Sequence, residues 1–345
     1  MAAATMKAAI YAGPGDIRVD DLPIPDAPGA GELLVRVRAC GVCGSDVSDW
    51  YMAPRAPLAW GHEPAGDVVA VGAGVTTFKE GDRVAVHHHV PCMVCDLCMH
   101  GHYTLCPTFK RTRLYPSGMA EYIRIPAEIV ERDILKLPDG MPYEIGALVE
   151  PIACCVRALD RSNIRPGDNM LVVGAGFNGI VMGMLAKYWG VSKTALLDRL
   201  PVRIERAQKL GFNTFNVEDG DLADQIKAWA GGKGPHVIVL TVANQKALDM
   251  AFDLIGPGGT LMVYGTAKPE DRWPLSINRV LFQEIIVTGS YSSSPYDTRR
   301  TLDMLADGRL DGASLITHRF PITEADKAWH LTKAAGDSLK VMVQI

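Results

Sequence analysis

The segment Gly174-Ala175-Gly176-Phe177-Asn178-Gly179 does most to narrow what this chain can fold into. Alone, G-x-G-x-x-G is a weak signal. Here it directly follows the apolar run Asn169 to Val173 and opens a helix expected over Asn178 to Trp189, with Val181, Met184, Leu185 and Tyr188 at helical spacing. Asp198 follows 19 residues after Gly179, at the end of a second short apolar run, Thr194 to Leu197. That combination is a dinucleotide fingerprint: glycines allow a tight turn and close approach of a pyrophosphate, the helix N-terminus offers N–H donors, and the acid takes the ribose hydroxyls. Asp198 would repel a 2'-phosphate and so favours NAD, whereas the neighbouring Arg199 is the kind of residue that accommodates one.

Around this segment, strand and helix alternate. Pro201 suits the first turn of a helix and Gly211 its end, and further strands are expected at Val237 to Val242, Thr260 to Tyr264 and Ile285 to Gly289, with a helix near Gln245 to Ile255. Such alternation predicts an α/β unit with a doubly wound parallel sheet. From Lys7 to about Pro151 the texture differs. Short strands broken by Gly and Pro predominate, as in Leu33 to Ala39, where Val35 and Val37 alternate with Arg36 and Arg38; Asp67 to Val71 and Arg83 to Val86 read similarly. The tail from Pro295 reads as helix, strand, helix, strand, able to return to the first half. The small-residue stretch Ala2-Ala3-Ala4-Thr5 reads as an extension without function.

With 345 residues, two cores are expected, at about 150 residues per domain. The net charge of -4 provides no basic field for nucleic acid, so a small-molecule partner is favoured. No run approaches the roughly 18 apolar residues of a membrane span, and no export signal opens the chain. A cytoplasmic protein without membrane contact is expected.

The cysteines agree with a reducing setting. Of eight, Cys92, Cys95, Cys98 and Cys106 fall within fifteen residues, a spacing that suits one tetrahedral zinc with no open position and hence a structural role. Cys40, Cys154 and Cys155 read as buried small residues. Cys43, His62 and Glu63 lie on separate loops, and spacing alone does not join them in one metal site.

Beyond spacing, the motifs Cys-Gly-x-Cys-Gly-Ser-Asp at 40–46, Gly-His-Glu at 61–63, Gly-Asp-Arg-Val at 81–84, the cysteine lobe, Glu150-Pro151 and the nucleotide fingerprint together resemble the zinc-dependent medium-chain dehydrogenase/reductase (alcohol dehydrogenase) family, in its sorbitol (polyol) and threonine dehydrogenase-like branch. The resemblance runs from Lys7 to Ile345. It implies a β-rich GroES-like catalytic domain (1–155, with the zinc lobe at 92–106, and a return over 291–345), a Rossmann domain (156–290), and an active site in the cleft. It implies two zinc ions per chain: a structural one on the cysteine lobe, and a catalytic one on Cys43 and His62, with Glu63 and Glu150 sharing the remaining positions. Asp46 would orient His62.

The same resemblance places the hydroxyl of Ser45 beside that zinc for proton transfer; a turn-capping serine is the plainer alternative. Relatives usually carry histidine three positions on, where this chain has Ser48. Within His87-His88-His89, His89 stands where threonine dehydrogenase-like members place a histidine, and it is taken as the alternative proton shuttle. Trp50, Tyr51 and Met52 would shape the substrate pocket or serve as core and surface. Arg203 matches an arginine laid near the adenine end, or is an exposed helix cation. The implied activity is reversible, NAD-dependent oxidation of a secondary alcohol, with a polyol, cyclitol or sugar-like substrate, by a homodimer or homotetramer. Rival readings are an L-threonine 3-dehydrogenase-like activity on an amino alcohol, a zinc-free-type quinone or enone reductase, and a non-catalytic NAD or zinc scaffold.

Overall fold

The computed structural model describes residues 4–345, so Ala2 and Ala3 lie outside the described residues while Thr5 already begins a strand. The chain divides into two compact units: one formed by residues up to Ala153 together with Ser293–Ile345, the other by Cys154–Ser292.

In the second unit, the strands Asn169–Val173, Lys193–Asp198, Asn213–Asn216, Val237–Leu240, Thr260–Val263 and Ile286–Gly289 form one six-stranded sheet. All pairings are parallel, and numbered along this unit the order is 3-2-1-4-5-6. That is the order of a dinucleotide-binding Rossmann sheet, whose crevice opens where the strand order reverses. Asn169–Val173 is buried along its whole length because neighbours flank it on both edges. The helix after the glycines spans Phe177–Ala186, then tightens into a 3₁₀ turn, Lys187–Trp189. That change of winding turns Tyr188 outward to 38% exposure, although helical periodicity puts it on the core face. The strand Asn213–Asn216 and the helix Leu222–Trp229 were not foreseen; the strand is a polar edge strand with none of the apolar run that marks its neighbours.

In the first unit, Thr5–Gly13 pairs antiparallel with Asp16–Pro23 and with Leu58–Ala59. A larger sheet runs in the order Ile316–Pro321, Lys340–Gln344, Leu33–Gly41, Glu63–Val71, Arg83–Val86, Ile134–Lys136, with Tyr122–Ile125 also pairing Leu33–Gly41. Leu33–Gly41 buries Val35 and Val37 and exposes Arg36, the alternation its sequence carries. The tail folds as Pro295–Ala306, Ile316–Pro321, Ala325–Ala334 and Lys340–Gln344, and its last strand lies beside Leu33–Gly41. In register, Gly41 faces Glu63 on one side and Met342 on the other. Three segments distant in sequence are thereby held together at one end of the sheet.

Candidate active site and metal centres

At this sheet end, Cys43 leaves the strand Leu33–Gly41 on a turn that Asp46 organises. The Asp46 carboxylate accepts a hydrogen bond from the Cys43 N–H (3.1 Å) and meets His62 Nδ1 at 3.1 Å. Asp46 is itself buried, and its carbonyl accepts from Trp329 Nε1 at 2.8 Å, which ties the turn to the C-terminal helix. With Nδ1–H donated to Asp46, His62 presents Nε2 as a ligand atom. Burial opposes charge on His62, but Asp46 and Cys43 outweigh it and hold the imidazole well above its ordinary pKa. Metal must therefore displace a proton there.

Glu63 opens the next strand, fully buried, and both its oxygens accept from Lys340 Nζ, at 2.7 and 2.8 Å. Lys340 is also buried; burial disfavours its charge, yet Glu63 foremost, with Cys43 and Glu150, keeps its pKa above the usual lysine range. A side chain at position 41 would put its Cβ 1.9 Å from Glu63 Oε2, so the strand must carry glycine there. Cys43, His62 and Glu63 offer ligand atoms that all lie within 4.8 Å of one another. One soft sulfur, one imidazole nitrogen and one carboxylate make a donor set that suits zinc and leaves a position open.

Glu150, in the first turn of Val149–Arg161, is buried, with Oε1 3.6 Å from His88 Nδ1. The His88 ring lies 4.7 Å from the His62 ring, tilted by 50°. His89 does not face this group: its Nδ1 lies 2.7 Å from the Thr112 carbonyl and 3.0 Å from Arg113, and its ring packs on Phe109. Burial, then the Arg113 charge, drives its pKa down to about 2. His89, the residue expected as proton shuttle, is thus held by Thr112 and Arg113, and the histidine ring beside His62 is that of His88, which also lies 4.1 Å from the His89 ring.

Ser45 is half-buried in the turn at 44–47, and Ser48 donates its hydroxyl to the Gly44 carbonyl at 2.9 Å, stabilising that turn. Of the three pocket candidates, Met52 is core, Tyr51 is 40% exposed beneath Arg55, and Trp50 meets the Tyr51 ring edge-on.

The cysteine lobe is built locally. Cys92, Cys95, Cys98 and Cys106 all bring Sγ within 4.8 Å of one another, with Cys95 Sγ 3.6 Å from Cys98 Sγ and 3.7 Å from Cys106 Sγ. Zinc–sulfur arms of 2.3 Å set tetrahedrally span about 3.8 Å, so the four sulfurs fit one ion. Backbone N–H groups already point at the sulfurs: Cys92 N donates to Cys106 and Cys95 N to Cys92, both at 3.3 Å. Burial raises the Cys106 thiol, but the N–H groups of Cys92, Phe109 and Thr108 outweigh it and bring its pKa down to about 6, toward the thiolate that a metal needs. Cys40, Cys154 and Cys155 are buried elsewhere.

In the other unit, the glycine loop answers for each of its residues. Gly174 has φ +105°, and a Cβ there would stand 2.1 Å from Thr241 Oγ1; one on Gly179 would stand 1.9 Å from the Gly174 carbonyl. Gly176 caps the helix that starts at Phe177, and Asn178 lies against Cys155. Asp198 accepts from the N–H groups of Ala175, Arg199 and Leu200 at 2.8, 2.8 and 2.9 Å. Arg203 reaches back to within 3.8 Å of Asp198 and packs against Gly176. Only a backbone without side chains leaves this loop open, which is the cradle a pyrophosphate needs.

Two residues of the metal region escaped sequence reasoning, Lys340 and His88. Lys340 lies 277 positions from Glu63 and carries no motif. His88 sat in a run already noticed, and the bend at that residue is what brings its ring beside His62.

Residues 29–139 match the alcohol dehydrogenase GroES-like domain model, and residues 179–307 the zinc-binding dehydrogenase model. The chain is 31% identical to sorbitol dehydrogenase of Bacillus subtilis (strain 168), covering 98% of this chain and 97% of that one. Among solved structures, alcohol dehydrogenase TADH from Thermus sp. ATN1 superposes with TM-score 0.87 at 27% identity, over 98% of this chain and 99% of that one. The 2R,3R-butanediol dehydrogenase of Bacillus subtilis gives TM-score 0.86 at 25% identity, over 99% of each chain.

Proposed function

The chain belongs to the zinc-dependent medium-chain dehydrogenase/reductase family, and on that premise we propose that it oxidises a secondary alcohol of a polyol, cyclitol or sugar-like substrate reversibly to the ketone, with NAD as hydride acceptor. The observation that carries this reading is the convergence of Cys43, His62 and Glu63 with Asp46 behind His62. The similarity to a sorbitol dehydrogenase over 98% of the chain supports the polyol class.

Zinc, when bound, acidifies a hydroxyl placed on it, and the nicotinamide takes the hydride. Everything else falls to the chain's own residues. Asp46 fixes the tautomer of His62, and Lys340 neutralises Glu63 so that this carboxylate can share a buried site with the Cys43 thiolate and Glu150. The catalytic ligands in this reading are Cys43 and His62, with Glu63 and Glu150 sharing the remaining positions; Cys92, Cys95, Cys98 and Cys106 hold the structural ion. Ser45, half-buried two residues beyond Cys43, carries the substrate proton outward, since the Ser48 hydroxyl is committed to Gly44. For the cofactor, Gly174, Gly176, Phe177, Asn178 and Gly179 receive the pyrophosphate, Asp198 takes the ribose hydroxyls and Arg203 braces it, with NAD favoured over NADP by the Asp198 charge.

A homodimer or homotetramer in the cytoplasm completes the proposal. The nucleotide unit ends its sheet on the strand Ile286–Gly289, and nearby Ile277, Leu281 and Phe282 are exposed at 81%, 64% and 79%, an apolar face of the kind that subunits cover. Light scattering of wild type and Phe282→Asp tests it, with a shift toward monomer expected.

The deciding experiment is nicotinamide reduction by metal-analysed protein across polyols, inositols, threonine and simple alcohols, with NAD and NADP in parallel. Chelator-sensitive NADH formation on polyols is expected. Zinc-loaded, nucleotide-binding protein with no turnover on any of these substrates overturns the reading, and turnover on threonine moves it to the amino alcohol class.

A further inference from the structure

Beside the Cys43 group lies a second set of metal-ligand atoms, on His87, His88 and Glu150, all within 4.8 Å of one another. His87 donates from Nδ1 to Asp133 Oδ2 at 2.7 Å, and Thr298 anchors the other oxygen of Asp133 at 2.6 Å. Both His87 and Asp133 are fully buried. A carboxylate behind an imidazole directs the far nitrogen outward as the ligand atom, an arrangement typical of metal-bound histidine; here that atom is Nε2, which meets Ser293 Oγ at 3.5 Å. His88 Nδ1 is buried without a hydrogen-bond partner among the described residues. Its 3.6 Å separation from Glu150 Oε1 is too long for a hydrogen bond. Tetrahedral arms of about 2.1 Å span about 3.4 Å, so this spacing suits an ion between the two groups. A cavity of about 10 Å³, near the least that admits one water, is lined by His87, Asp133, Glu150 and Thr298.

We propose that His87 Nε2, His88 Nδ1 and Glu150 bind a further divalent ion of the zinc class, adjacent to the catalytic zinc and additional to the two the family reading implies. Two imidazoles and one carboxylate make a borderline donor set that selects zinc, cobalt or nickel over magnesium and calcium. The His88 ring lies 4.7 Å from the His62 ring, which places the proposed site beside the Cys43 group.

The test is metal counting on the full-length protein, dialysed against excess free Zn²⁺ and then rinsed. Three ions per chain are expected for wild type and two for His88→Gln. The His88 side chain is 19% exposed, and His87→Gln serves as a second variant, since Glu150 is also assigned to the catalytic ion. Cobalt loading adds an independent signature: the third equivalent brings ligand-field absorption with no added thiolate charge-transfer band, because this site has no sulfur. Two ions per wild-type chain, or three retained in both variants, overturns the proposal. The inference rests on the zinc dehydrogenase reading only for the count of two. Metal counts do not depend on turnover, so a panel without active substrates and a missing third ion are separate failures.

Discussion

The cysteine lobe and the Cys43 site both gather metal-ligand atoms, yet they are built in opposite ways. The lobe draws four like ligands from fifteen consecutive residues and closes its coordination with sulfur alone. The Cys43 site collects unlike ligands from strand ends brought into register, with Cys43, His62, Glu63 and Lys340 spread over nearly 300 positions. Local chain geometry can make a rigid, closed site; an open one needs the whole sheet to hold it. Substitutions should therefore separate the two, the lobe failing as structure and the sheet-end site failing as chemistry.

The largest contrast is expected between Cys43→Ala and Cys106→Ala. The first should abolish alcohol oxidation while NAD binding, read by fluorescence, and the melting temperature stay near wild type. The second should lose the lobe's ion and lower the melting temperature, since structural zinc contributes folding energy directly. If Cys43→Ala retains turnover, the sheet-end site is not the reacting centre. If Cys106→Ala melts like wild type, the lobe is not a structural site.

Next in size is Lys340→Met, which leaves Glu63 buried without its cation. Removing one partner of a buried pair costs about 3–5 kcal/mol. Denaturant titration of the single variants and of Lys340→Met with Glu63→Gln measures the coupling, and the double variant should recover much of the loss. Additive losses would mean that Lys340 serves Cys43 and Glu150 more than Glu63.

Asp46→Asn comes third. It keeps the shape but weakens the hold on His62 Nδ1, so affinity for the catalytic ion should fall about 10- to 100-fold, with the lobe's ion unaffected. Competition with a chromophoric chelator separates the two ions, and equal weakening of both would dissolve the comparison between the regions.

How much of this was legible beforehand follows the same division. The cysteine spacing, the glycine loop and Asp198 are compact in sequence, and each is found where its local chemistry puts it. The strand Arg83–Val86 and the four elements of the tail were likewise readable from alternation and periodicity. Lys340 was not, because a lysine opening an apolar strand carries no pattern; its role exists only once Lys340–Gln344 pairs with Leu33–Gly41 and Gly41 pairs with Glu63. His89 was singled out in place of His88 for a related reason: family position names a residue, but the direction of its side chain depends on where the strand Arg83–Val86 ends and on Thr112, which claims His89 Nδ1. His89→Gln should accordingly leave the pH profile of turnover unmoved, and a displaced profile would return the shuttle role to it.

The smallest effect is expected at Ser48, where the family resemblance implies a histidine. The hydroxyl donates to the Gly44 carbonyl and holds the turn that carries Cys43, Ser45 and Asp46. A single partly exposed hydrogen bond is worth about 0.5–1.5 kcal/mol, so Ser48→Ala should cost no more than that in stability. Its effect on turnover should be modest and should appear in kcat more than in KM, because loosening the turn misplaces Ser45 without touching the nucleotide loop. Ser48→His sharpens the point. It removes the same hydrogen bond while supplying the imidazole that the family resemblance implies there, so a rise in kcat over Ser48→Ala would show that this turn accepts a histidine relay. Equal kcat in the two variants would show that the position serves the turn alone, with proton transfer left to Ser45.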